Sequence, residues 1–206
     1  MSDRVTRRAH LSRAGFVLAG GKSSRMGTNK AFLDFGGQTL LRRALPSLKS
    51  VCDDVRIVGD PAVFTDFGLV IQDLFPGCGP LGGIHAALKQ SSADLNLMLA
   101  VDMPFVSTEL LRFLLSAAEA TNATVTVPRT GKGFQPLCAV YRRDFVETAE
   151  ANLRAGKYKI DASFSSLQLR IVEESELAAA GFSEKNFLNI NTPEDRTAAD
   201  DLHPHP

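Results

Sequence analysis

Gly20 and Gly21, followed by Lys22, Arg25 and Lys30, are the residues of this chain best suited to chemistry. They close the run Gly15-Phe16-Val17-Leu18-Ala19-Gly20-Gly21-Lys22-Ser23-Ser24-Arg25-Met26-Gly27-Thr28-Asn29-Lys30. The glycines let the backbone turn through positive φ and let a ligand approach the main chain. Successive N–H groups in such a loop form a nest for anions. No carboxylate within the loop matches its three cations, so a chain of phosphates is the guest that fits. Spacing excludes two familiar phosphate loops here: neither G-x-x-x-x-G-K-S/T nor G-x-G-x-x-G occurs between Gly15 and Lys30. The pattern present is L-A-G-G-x-x-x-R-M-G-x-x-K, and its plain alternative is a glycine turn with solvated basic residues.

Two acids are candidate partners for such a guest. Asp102 directly follows the most apolar run, Leu95 to Val101. A triphosphate needs a divalent cation, and Mg²⁺ is held by one or two carboxylates with phosphate oxygens and water. Position alone fits Asp102 equally to that task and to an Asx turn into Pro104. Asp73 precedes the glycine-rich Pro76-Gly77-Cys78-Gly79-Pro80-Leu81-Gly82-Gly83. A carboxylate can accept both N1–H and the 2-amino group of guanine, and Gly79, Gly82 and Gly83 would let a base come close. A solvated turn residue is the competing reading of Asp73.

These residues must be placed by elements, and the pattern predicts them. Apolar runs at Gly15–Leu18, Val55–Gly59, Leu69–Gln72, Leu95–Val101, Ala123–Pro128, Leu137–Tyr141, Leu169–Val172 and Phe187–Asn191 read as strands. Ala31 to Leu40 reads as a hairpin turning at Gly36-Gly37. Thr39 caps a helix with Leu41, Ala44, Leu45 and Leu48 inward, and Ser107 caps another with Leu110, Leu111, Leu114 and Leu115 inward. Further helices are expected at Ile84 to Gln90, from Asp144 to about Ala155, and from Thr192-Pro193-Glu194-Asp195 onward. The alternation predicts an α/β fold with a doubly wound, mostly parallel sheet, Leu95–Val101 central in it. Ligands in such folds sit outside the carboxyl ends of the strands. Gly20, Asp73, Asp102 and Asn189 to Asn191 all fall there.

Length fits one domain, read as 15–200 between tails at 1–14 and 201–206. The first tail carries Arg4, Arg7, Arg8 and Arg13; a transit peptide is the weaker reading because of Asp3 and its shortness. Net charge is zero, which argues against a general nucleic-acid or membrane-surface binder. No apolar run has transmembrane length, and no signal peptide is visible. Cys52, Cys78 and Cys138 have neither zinc-ligand spacing nor a disulfide pattern, so a reducing cytoplasm is expected, with Cys138 buried in a strand. His85, in the helix after Gly83, reads as a packing or surface residue.

The stretches Leu18 to Lys30, Asp73 to Gly83, Asp102 to Phe105 and Asn189 to Asp195 resemble, in order, the motifs of the molybdenum cofactor guanylyltransferase (MobA-like) family of nucleotidyltransferases. The resemblance runs from about Gly15 to Asp195 and implies a Rossmann-like nucleotidyltransferase fold. It implies transfer of GMP from GTP to the terminal phosphate of molybdopterin, with release of pyrophosphate. Mg²⁺ then maps to Asp102, and nucleotide contacts to Leu18, Ala19, Gly20, Lys30 and Asp73. Asn189 and Asn191 would meet the pterin phosphate or the metal, or else be a carboxamide pair that stabilises the final turn. Asn29 departs from the pattern, since relatives commonly carry Asp there. Molybdenum-insertion and molybdoenzyme-maturation proteins are the implied protein partners.

Lys30 and Arg25 are assigned to the phosphates and leaving pyrophosphate, and Gly20 and Gly21 to backbone donors. The attacking group is an anionic phosphate, so no general base is required. Arg129, Lys132 and Gln135, in a polar loop, are placed at the acceptor by position only. Cytidylyl transfer to molybdopterin, nucleotidyl transfer to a sugar phosphate, and a non-catalytic carrier are the other readings. Asp73 argues against cytosine, whose O2 and N3 are acceptors. Asp102, Lys30 and Arg25 argue against a carrier.

Overall fold

The computed structural model describes residues 11–20 and 29–190. Strands β1 (Arg13–Leu18), β4 (Asp54–Val58), β5 (Val70–Ile71), β6 (Leu95–Ala100), β7 (Val125–Thr130), β8 (Gly133–Phe134), β9 (Cys138–Tyr141) and β10 (Leu169–Val172) form one sheet. Its order is β10-β7-β9-β6-β1-β4-β5, with β8 paired to β7. Strands β2 (Asp34–Phe35) and β3 (Gln38–Thr39) make the expected hairpin, with Gly36 and Gly37 at positive φ. β1 begins at Arg13, two residues inside the stretch expected to be a tail, because Arg13 pairs with Leu95 in the ladder and its guanidinium binds Glu119 at 2.6 Å.

Alternation along each strand divides the core in two. Val17, Leu97, Leu99, Cys138 and Val140 face one side, packed with α1 (Leu40–Lys49) and α4 (Thr108–Glu119). Phe16, Leu18, Met98, Ala139 and Tyr141 face the other, packed with α3 (Pro80–Gln90) and α5 (Phe145–Arg154). Helices on both faces make the sheet doubly wound. Both predicted caps form: Thr39 and Ser107 side chains accept from Arg42 and Leu110 amides.

Several expectations are corrected. β6 is central, but only β1 runs parallel beside it; its other neighbour, β9, is antiparallel. The hairpin-like return through β8 reverses the chain and inserts β9 between β6 and β7. α3 starts at Pro80, not Ile84, because proline suits the first helical position and Gly79 turns into it at φ 71. Short helices α2 (Pro61–Phe64) and α6 (Glu174–Ala179) also form. Phe187 to Ile190 is not a strand. Glu184–Phe187 is a 3-10 turn, begun by a capping box between Ser183 and Asn186. Its buried residues, Phe187 and Ile190, are three apart rather than two, and the Ile190 N–H goes to the Asp102 carbonyl at 2.9 Å. The helix expected from Thr192 lies outside the described residues.

Candidate active site

β1 lies between β4 and β6. The chain leaves β1 toward β4 and returns through β6 on the other side, so a switch point opens at their carboxyl ends, where α/β folds bind ligands. Leu18 and Ala19, both buried, end β1; the Ala19 N–H binds Val58 O at 2.9 Å, and Val101 N–H binds Leu18 O at 3.2 Å. These two bonds fix the exposed Gly20 at the mouth of the crevice. Gly21 and Arg25 lie outside the described residues.

On the β6 side, Lys30 Nζ stands 3.2 Å from Asp102 Oδ2, with side chains 27% and 18% exposed. Lys30 reaches this place because Asn29 caps the 3-10 turn Lys30–Phe32, its Oδ1 accepting from Ala31 N at 3.0 Å. Asparagine therefore supplies the turn with the acceptor that aspartate would supply. Among the described residues the Asp102 carboxylate meets Lys30 and no loop amide, so the Asx-turn reading fails. The segment behind it is pinned from three directions. Ile190 N–H binds Asp102 O, Arg43 Nε binds Pro104 O at 3.2 Å, and Asn186 Nδ2 binds Phe105 O at 3.2 Å. Sequence reasoning missed Arg43 and Asn186. Neither lies in a motif that the sequence singles out.

On the β5 side, Asp73 is half-buried, and its Oδ1 accepts from Phe75 N at 2.8 Å. Its carboxylate lies over the first turn of α3. A Cβ on Gly82 would fall 2.8 Å from both Asp73 oxygens and 3.0 Å from Phe75 O. Glycine at 82 is thus what admits the carboxylate there. A Cβ on Gly83 would press on Val58 Cγ1 at 3.3 Å and Leu18 at 3.7 Å, so the same turn packs against the end of β1. Asp73, Gly82, Leu18, Ala19, Gly20, Lys30 and Asp102 therefore line one rim.

Other expectations are placed elsewhere. Asn189 is exposed in coil and Asn191 lies outside the described residues, so their pairing along a strand does not hold. Arg129 forks onto Glu173, Lys132 binds Glu184 at 3.0 Å, and Gln135 binds Thr130 Oγ1 at 3.1 Å. These bonds bind the loop to its own surroundings. Burial pushes the Cys52 and Cys138 thiols up to about 12, which makes them poor nucleophiles at neutral pH.

Residues 15–169 match the model of the MobA-like NTP transferase domain. The chain belongs to that family. It is 39% identical to a probable molybdenum cofactor guanylyltransferase of Pelotomaculum thermopropionicum, over 92% of each chain. It is 36% identical to the molybdenum cofactor guanylyltransferase of Desulfosudis oleivorans, over 90% of this chain and 93% of that one. Among solved structures it is similar to molybdopterin-guanine dinucleotide biosynthesis protein A of Archaeoglobus fulgidus. There the TM-score is 0.80 at 26% identity, covering 92% of this chain and 97% of the other. The NTP transferase domain thus spans both flanks of the rim, from Gly20 through Asp102, and its fold is the Rossmann-like one expected.

Proposed function

We infer that this NTP transferase domain transfers GMP from GTP to the terminal phosphate of molybdopterin and releases pyrophosphate. The observation that carries the reading is the Lys30–Asp102 pair, 3.2 Å apart at the end of β6, with Asp73 across β1 from it. The relatives' names supply the acceptor class.

The acceptor phosphate attacks the α-phosphorus in line, and pyrophosphate leaves opposite. Lys30 and Arg25 draw the negative charge of the phosphates, and the backbone N–H groups of Gly20 and Gly21 hold phosphate oxygens. Such catalysis rests on positioning and charge stabilisation. Asp73 reads the guanine N1–H and 2-amino edge, beside Gly82. Leu18 and Ala19 line the nucleotide's path.

NTP transfer calls for a divalent cation, and Mg²⁺ is the one proposed. No group of three or more His, Cys, Asp or Glu side chains that could hold a metal exists among the described residues. A single partly exposed carboxylate, Asp102, suits Mg²⁺, which takes its other oxygens from phosphates and water. Bound there, the ion neutralises phosphate charge. No described helix is long and apolar enough to cross a membrane. A cytoplasmic enzyme that meets molybdenum-insertion and molybdoenzyme-maturation proteins completes the reading.

The test is pyrophosphate release from GTP, CTP, ATP and UTP with Mg²⁺ and molybdopterin. GTP is expected to be preferred. Asp73→Ala is expected to lower the GTP-over-CTP ratio about tenfold to hundredfold, the value of a hydrogen bond to a charged group. Equal use of CTP by the unaltered protein would move the reading to cytidylyl transfer. No release with any nucleotide would support a carrier.

A further inference from the structure

His85 is 2% exposed in a helix whose other buried residues are apolar or glycine. Burying an imidazole costs free energy unless its nitrogens are bonded. His85 makes one such bond, with Nε2 3.3 Å from Glu150 Oε2 on α5. A carboxylate only accepts, so Nε2 carries the hydrogen. Nδ1 is buried without a partner among the described residues. An aliphatic side chain would pack here without that cost, so the ring must do something an aliphatic cannot.

Its edge contact shows what. The His85 ring meets Phe75 nearly perpendicularly, at 81° and 5.1 Å between centroids. Phe75 is the residue whose N–H holds Asp73 Oδ1. Elsewhere in that loop Gln72, Leu74, Pro76, Gly77 and Gly79 are exposed, and the ties are the Cys78 N–H to Phe75 O at 3.2 Å and the packing of Phe75 and Cys78 on the core. Glu150, at the other end, is itself clamped by Arg154 at 2.7 Å and Lys89 at 3.3 Å. One mechanical line runs from α5 through Glu150, His85 and Phe75 to Asp73.

We propose that His85, oriented by Glu150, is a positioning residue for nucleobase selection: it holds Phe75, and through it the Asp73 carboxylate, in register with the base. The proposal rests on the reading of Asp73 as the guanine contact. A carboxylate that must meet two neighbouring donors works only within about 0.5 Å of its place. Loosening Phe75 spreads it over several positions. Binding and discrimination then suffer, while the phosphates, held across β1 by Lys30, react at the same rate once bound.

The experiment compares GTP with ITP, which lacks the 2-amino group, in the full chain with molybdopterin and Mg²⁺. Thermal unfolding is measured in parallel. His85→Phe keeps a ring but loses the bond to Glu150. It is expected to raise KM for GTP, and to lower the GTP/ITP ratio of kcat/KM, about fivefold to tenfold, the worth of one hydrogen bond. Its kcat should stay within about twofold, the signature of lost binding rather than lost chemistry. His85→Gln restores a donor to Glu150 but removes the ring that meets Phe75, so it should raise KM and lower the ratio as well. Glu150→Gln should move KM and the ratio in the same direction as His85→Phe, and carries the test alone if His85→Phe does not fold. An unchanged ratio in both His85→Phe and Glu150→Gln, whatever the melting temperature does, overturns the proposal. If Asp73→Asn also leaves the ratio unchanged, the reading of Asp73 fails with it; if Asp73→Asn collapses the ratio and the other two do not, only the role of His85 falls.

Discussion

Asp102 serves the site with its side chain and its backbone. The carboxylate faces Lys30, while the carbonyl accepts the Ile190 N–H. Replacing the side chain leaves the second bond in place, so Asp102→Ala should fold normally. Turnover should fall by at least about a hundredfold, as when one charge-stabilising group is removed from a transition state. Steady-state pyrophosphate release beside circular dichroism checks both halves. Gly82→Ala tests the opposite flank. Alanine gains about 1 kcal/mol in a helix, but overpacking costs about 1–3 kcal/mol, so stability should fall by about 0–2 kcal/mol. Its Cβ would nevertheless meet both Asp73 oxygens at 2.8 Å. KM for GTP should rise roughly tenfold, the worth of one hydrogen bond to a charged group. At this scale the gathering of Gly20, Lys30 and Asp102 at neighbouring strand ends was legible, since a basic glycine loop and an acid at a strand end need only spacing to be noticed. The pins behind it were not, because Arg43 and Asn186 act through backbone carbonyls distant in sequence.

Between α3 and α5 the electrostatics concentrate on one carboxylate. Arg154, then Lys89, then His85 hold the Glu150 carboxyl down at about 2, against its ordinary 4.5. A carboxyl depressed in the folded state adds stability that is complete above about pH 4.5 and is lost as pH falls toward about 2. Melting curves taken across that interval should fall less steeply with acid in Glu150→Gln than in the unaltered protein. Equal slopes would show that the clamp carries no such linkage. The elements themselves were read from the sequence where periodicity was long: α1, α4 and α5 present apolar faces over ten residues or more. Short ones escaped. α6 buries only Leu177, which leaves no period to detect. Gly82 and Gly83 looked like turn residues because their contacts with Asp73 and Leu18 are tertiary.

For the whole molecule, β6 belongs to both cores, with Leu97 on the α1–α4 side and Met98 on the α3–α5 side. Leu97→Ala and Met98→Ala should each cost about 2–5 kcal/mol. Both should melt in a single transition, because a strand shared by two layers couples them. Two separated transitions in calorimetry would contradict this. Alternating strands and helices announced the doubly wound architecture, but not the antiparallel insertion of β9. Strand direction depends on how a connection returns, which the apolar pattern of a strand does not record. The stitch from Ile190 to Asp102 has a consequence for biosynthesis. A chain growing from its N-terminus exposes Gly20, Lys30, Asp73 and Asp102 long before residue 190 emerges. The unfinished chain holds these rim residues without the last tie behind the acid, so the rim is complete only once residue 190 has emerged and folded back. A nascent polypeptide released before residue 190 would lack that tie.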